Sequence, residues 1–198
     1  SLQTYNTFDT GDVETIVFKV LDDGALKRVH TDGQGNITKV QNTVFAEDGT
    51  EEITVSQKYS DGTEEVRFEI DGVQMERKVT YNADDGSGNM AGDVVTYEYD
   101  PTTQKTLHTF VNADDTVDVY ELVTTNGGVG NFSYGESTKL GSGTQSIVNG
   151  VETIAVTLEG GGTQNFITDK EGKKMAKKGK DPSAQRFGGE FGPYRNPG

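Results

Sequence analysis

Carboxylates and amides gathered on glycine-permitted turns are the side chains best placed to do chemistry in this chain. The chemistry they suit is the holding of a hard cation. Asp32-Gly33-Gln34-Gly35-Asn36 and Asp84-Asp85-Gly86-Ser87-Gly88-Asn89 each collect oxygen ligands on a bend, and Asn112-Ala113-Asp114-Asp115 repeats the theme. Calcium takes six to eight oxygens, and Asp32, Asn36, Asp84, Asp85 and Asn89 are the candidates to supply some of them. Their spacing matches neither a helix-loop-helix calcium site nor the nonapeptide of a calcium-binding β-roll. Asp and Asn that simply build turns are the favoured reading, and no metal is expected.

Catalytic chemistry finds less to work with. There is no Cys, so a thiolate nucleophile, a thiolate metal site and a disulfide framework are all excluded. His30 and His108 lie on predicted strands far apart in sequence, with no partner motif around either. No Gly-x-Ser-x-Gly elbow, His-Glu-x-x-His pair or phosphate-binding Gly-x-x-x-x-Gly-Lys loop occurs. The 32 acidic residues are so many that a close pair carries no information about acid–base catalysis. Tyr97, Tyr99 and Tyr120 fall on strands and read as core or cross-strand packing. The chain is therefore expected not to be an enzyme, and no cofactor is expected.

The elements that must position these residues are strands. Asp-Gly occurs six times and Asn-Gly twice, and each pair offers the positive φ that a tight hairpin turn requires. Between them lie segments with period-two alternation, such as Val66, Phe68 and Ile70 against Glu65, Arg67 and Glu69. Strands are expected near 13–20, 25–31, 37–45, 51–59, 63–70, 73–81, 93–99, 104–111, 116–125, 144–149, 151–158 and 163–168. No segment before residue 169 repeats its apolar residues at the helical period. Short connections force neighbours to pair antiparallel, so the fold class is all-β, an antiparallel β-meander closing as a barrel or a sandwich. Residues 126–143, rich in Gly, Ser, Asn and Thr, read as a long flexible loop.

Charge divides the chain in two. Residues 1–168 hold 10 Lys and Arg against 28 Asp and Glu, while residues 169–198 hold 8 against 4. The first part is an acidic all-β body; the second is a basic, Gly/Pro-rich, extended C-terminal arm. Only two of the 43 Leu, Ile, Val and Phe residues fall in the arm, so it cannot bury a core of its own. Lys173, Lys174, Lys177 and Lys178 suggest a short cationic helix turn around Met175 and Ala176. Arg186, Phe187, Phe191, Tyr194 and Arg195 then place aromatic anchors between cations on an extended stretch. These nine residues are the candidate partner-binding set, inserting rings into a neighbour and meeting its acidic surface.

The overall charge of −14 disfavours nucleic acid as a partner, and no apolar run reaches the length of a membrane span. The expectation is a non-enzymatic structural subunit of a larger assembly, in a virion or an extracellular fibre. Its partners would be copies of itself or other structural subunits. The alternative is a secreted binding module or adhesin for glycan or calcium.

Overall fold

A computed structural model describes residues 2–7, 13–124, 134–148, 151–168 and 174–176. Its strands are β1 (Leu2–Thr7), β2 (Val13–Val20), β3 (Leu26–Thr31), β4 (Ile37–Phe45), β5 (Glu51–Lys58), β6 (Glu64–Ile70) and β7 (Val73–Thr80), followed by β8 (Val94–Asp100), β9 (Lys105–Val111), β10 (Thr116–Thr124), β11 (Tyr134–Val148), β12 (Val151–Leu158), β13 (Thr163–Thr168) and β14 (Lys174–Ala176). Each strand pairs antiparallel with the next, so the spatial order of the sheet is the chain order. Strands β2 to β13 form its twelve-strand body, and β1 and β14 are its edges. The described residues contain no helix.

The all-β meander expected from the sequence is present, but its closure is not. No pair joins β1 to β14, so the sheet does not close into a barrel. Of the described strands that are not sequence neighbours, β10 and β12 are the pair in substantial contact, so none of the described strands folds over as the second layer of a sandwich. The connections fix the order of the strands, whereas closure depends on how strongly the sheet tilts and coils. Almost every turn is too short to carry the chain anywhere except back along its neighbour.

Six of those turns share one design. In Leu21–Ala25, Asp32–Asn36, Ala46–Thr50, Tyr59–Thr63, Asn112–Thr116 and Leu158–Gly162, the first N–H bonds to the fifth carbonyl and the fourth N–H to the first carbonyl. The fourth residue has positive φ in every case: Gly24, Gly35, Gly49, Gly62, Asp115 and Gly161. In four of them a third-position aspartate accepts the fifth residue's N–H, as Asp48 does from Thr50 at 2.9 Å. Where Asp-Gly starts the turn, at Asp32-Gly33, the later Gly35 takes the left-handed position. A two-residue turn occurs at Asp71-Gly72, with φ of 48° and 78°.

Two apolar clusters form on opposite faces. Leu107, Val111, Val117, Val119, Ile154 and Val156 pack together where the sheet curls through β9 to β12. That curl runs over Gly141 and Gly143. Val117 pairs with Gly143, which pairs with Val156, so two valines meet across a residue with no side chain. Met75 and Tyr99 make the second cluster, with Phe68, Ile70, Val73 and Tyr97 against it. The segment 134–143, expected as loop, is therefore the first two-thirds of β11. Its glycines answer to the close approach of β12, because a Cβ on Gly143 would run into the carbonyl of Ala155.

The expected helix turn around Met175 is also replaced by a strand. Phe166, Ile167 and Thr168 of β13 pair with Ala176, Met175 and Lys174. Outer N–H and C=O groups of β13 need partners, and extended backbone supplies them where a helix turn cannot. Buried Asp93 ties two connections together by accepting the N–H of Met90 at 2.8 Å and of Ala113 at 2.9 Å.

Candidate functional site

Following the pairing register from strand to strand reveals one row of directly opposed residues. It runs Phe18, Arg28, Gln41, Val55, Arg67, Arg77, Tyr97, His108, Tyr120, Lys139, one from each strand from β2 to β11. Opposed residues project from the same face, so the row crosses ten strands on one side of the sheet. All three arginines of residues 1–168 stand on it.

Its members touch. The Arg28 guanidinium lies 5.2 Å from the Phe18 ring centre and that of Arg77 lies 5.9 Å from Tyr97. Tyr97 and His108 stack at 4.4 Å between centroids, and Tyr120 tilts against His108 at 6.0 Å. The Lys139 ammonium closes the run 6.0 Å from the Tyr120 ring while pairing with Asp118 at 2.8 Å. Its ammonium, then the Ser142 hydroxyl, hold the Asp118 carboxylate below the usual range. A cation at each end over stacked rings is the arrangement that the ring quadrupole favours. Cross-strand side-chain contacts of this kind help hold neighbouring strands together.

One buried carboxylate makes the arginine end tenable. Arg67 and Arg77 face one another as like charges, which alone opposes pairing. Glu65 stands beside them with its side chain 6% exposed, 3.2 Å from Arg67 Nε and 3.1 Å from Arg77 Nη2. The Tyr59 hydroxyl donates to it at 3.0 Å. Further along the row His108 has no such partner: its Nε2 is buried with no hydrogen bond, and burial holds the imidazole below the ordinary histidine value. His30 differs, lying 2.6 Å from Glu14.

The comparisons with known proteins come back empty. No family model, no curated protein and no solved structure matches this chain. What the site can do must come from its own geometry.

The calcium candidates are occupied by their own turns. Asp32 accepts from the N–H of Gln34 and Asn36 at 2.9 and 2.8 Å and from the Asn36 amide at 3.0 Å. Asp85 repeats this with Ser87 and Asn89, so the sequence echo between the two segments is an echo of one bonded shape. The asparagine amide is the main influence holding each aspartate below its usual value. Asp84 accepts the Ala91 N–H at 3.1 Å. Among the described residues no three His, Asp or Glu side chains converge as metal ligands.

Of the partner-binding candidates, Lys174 is placed, at the start of β14. Lys173, Lys177, Lys178, Arg186, Phe187, Phe191, Tyr194 and Arg195 lie outside the described residues. Sequence reasoning named Tyr97 and Tyr120 as cross-strand packing but missed the row itself. No helix among the described residues is long and apolar enough to cross a membrane.

Proposed function

We propose that this chain is a non-enzymatic structural subunit that works by associating with further subunits, its C-terminal arm docking on a neighbour. One observation carries the reading. Thirteen large apolar side chains on or beside the one-layer sheet are exposed among the described residues, from Val13 and Phe18 to Val123 and Ile147. A domain normally covers such side chains with a second layer, and here neighbouring copies are the available cover. The basic charge of residues 169–198 against an acidic remainder supports the same reading, since an arm of opposite sign is drawn to a neighbour's surface. A virion or an extracellular fibre is the setting that fits a subunit used in many copies.

The test is solution mass by light scattering for the full chain and for a Phe187→Ser, Phe191→Ser, Tyr194→Ser variant, at low and high salt. Assembly of the full chain, lost in the variant and weakened by salt, is the expected result. A full chain that stays monomeric under all conditions overturns the reading.

A further inference from the structure

Over β2 to β4 the face that carries the row holds a cleft of about 480 Å³, lined by Phe18, Val20, Leu26, Arg28, Gln41 and Thr43. These six project from one face, because Phe18 opposes Arg28, Arg28 opposes Gln41, Val20 opposes Leu26 and Leu26 opposes Thr43. Lys19 and Lys27 alternate with them and project from the other face, so Arg28 is the one cation among the six. The apolar walls are open to solvent, with Val20 73% and Leu26 41% exposed. Arg28 lies over the Phe18 ring and its Nε is buried without a hydrogen bond. Among the described residues no carboxylate stands within ion-pair distance of it, in a chain with 32 acidic side chains. An apolar cleft with such a guanidinium suits an apolar ligand that brings its own carboxylate.

Beyond the cleft the charge reverses on the same face. Phe45 takes the next position after Thr43 on that side of β4, is 54% exposed, and stands directly opposite Glu51 of β5. Glu51 has no cation within ion-pair distance among the described residues, and the turn joining the two strands adds exposed Glu47 and Asp48. From Arg28 to Glu51 the surface therefore runs cation, apolar, carboxylate. At about 4.8 Å per strand and about 3.3 Å per residue, that diagonal is roughly 16 Å long.

The arm carries the complementary series. Glu190-Phe191-Gly192-Pro193-Tyr194-Arg195 runs carboxylate, apolar, cation, and its reach from Glu190 to Arg195, when extended, is also roughly 16 Å. We infer that this cleft is the docking site for residues 190–195 of a neighbouring copy's arm. Glu190 meets Arg28, Phe191 enters the cleft between Phe18 and Leu26, Tyr194 lies on Phe45, and Arg195 reaches Glu51. The site rests on the assembly reading and gives the arm its acceptor. Aromatic anchors supply the affinity, and two charge pairs of opposite polarity fix which way the arm runs.

Sedimentation velocity on the full chain tests this, with circular dichroism melts to confirm that each variant folds. Val20→Asp, Arg28→Glu and Glu190→Arg are each expected to weaken association by about tenfold or more. The Arg28→Glu and Glu190→Arg chains mixed in equal amounts are expected to associate again, because the acidic cleft of one accepts the basic arm of the other while the parental pair forms in return. A folding defect cannot be rescued in this way, and neither can an arm docked on its own chain. A mixture that stays dissociated overturns the site.

Association that survives Val20→Asp and Arg28→Glu but is lost with Phe187→Ser, Phe191→Ser, Tyr194→Ser overturns this cleft and leaves the arm-mediated assembly standing. Association that survives the arm variant but is lost with Val20→Asp gives the cleft to the folded sheet of a second copy and overturns the arm as its occupant. A monomeric wild type overturns both readings. If that monomer shifts its Val20 and Leu26 methyl resonances with dodecanoate, the cleft belongs to a small anionic amphiphile instead.

Discussion

Tyr97 and His108 lie face to face across β8 and β9, with ring centroids 4.4 Å apart and planes 8° from parallel. The stack sits at the middle of a run with Arg77 at one end and Lys139 at the other. A third positive charge between them is unwelcome, and burial already disfavours the imidazolium. The folded His108 therefore titrates below its unfolded value near 6.5. Above that pH both states are neutral and the fold is at full strength. As pH falls below it the unfolded state takes up the proton first, so stability declines. Urea melts at pH 7.5 and 5.5 should show this loss, and His108→Phe should reduce it. An unchanged pH difference in the variant would assign the effect to other groups.

Asp115 occupies the left-handed position that glycine holds in the five other turns of the same design, with φ of 66°. A side chain there is strained by about 1 kcal/mol, somewhat less for Asp than for most residues. Asp115→Gly should raise stability by up to about 1 kcal/mol, the gain being trimmed by the added freedom of the unfolded chain. Gly49→Ala is the mirror experiment. A Cβ at Gly49 meets nothing within 4 Å, so its cost of about 1 kcal/mol would be purely conformational. Chemical denaturation of the two variants should shift the midpoints in opposite directions.

Turn chemistry was the legible part of this fold, and register was not. The Asp-Gly and Asn-Ala-Asp-Asp segments mark their turns because few residue types tolerate the left-handed bend, and the strands between them follow from alternation. Register slips at bulges, which leave no such mark. Counting back from the Asp71-Gly72 turn pairs Ile70 with Val73 and Glu69 with Gln74, and continuing would set Arg67 against Glu76. The irregularity between Phe68 and Glu69 instead sets Arg67 against Arg77. Similar slips at His30/Thr31 and Val119/Tyr120 move the row again. Ten residues spread from Phe18 to Lys139 thus align only once the bulges are known. Strand β11 was hidden for another reason. Its glycines read as looseness but mark a close approach by β12.

Glu65 is the counter-charge on which the Arg67–Arg77 opposition depends. Glu65→Gln keeps the shape and removes the charge, leaving two half-buried guanidinium groups facing each other. A loss of about 2–3 kcal/mol is expected, because removing one member of a buried ionic group strands the others. Tyr59→Phe removes a single hydrogen bond to the same carboxylate and should cost only about 1 kcal/mol. A Glu65→Gln variant as stable as the parent in urea would mean that solvent, not Glu65, screens the two arginines.

Gly143 lies close against β12, paired with Val117 on one side and Val156 on the other. Gly143→Ala would drive a methyl group into the Ala155 carbonyl and the Val156 backbone. Backbone cannot swing aside as a long side chain can, so β11 and β12 must separate and the Val117–Val156 contact opens. Overpacking of this kind costs about 1–3 kcal/mol, and a clash with main chain belongs at the upper end. Hydrogen exchange should show faster amide exchange in β12 and β13, while β3 to β7 keep the parent's protection. Uniform loss of protection throughout the chain would mean that the sheet unfolds as a single unit.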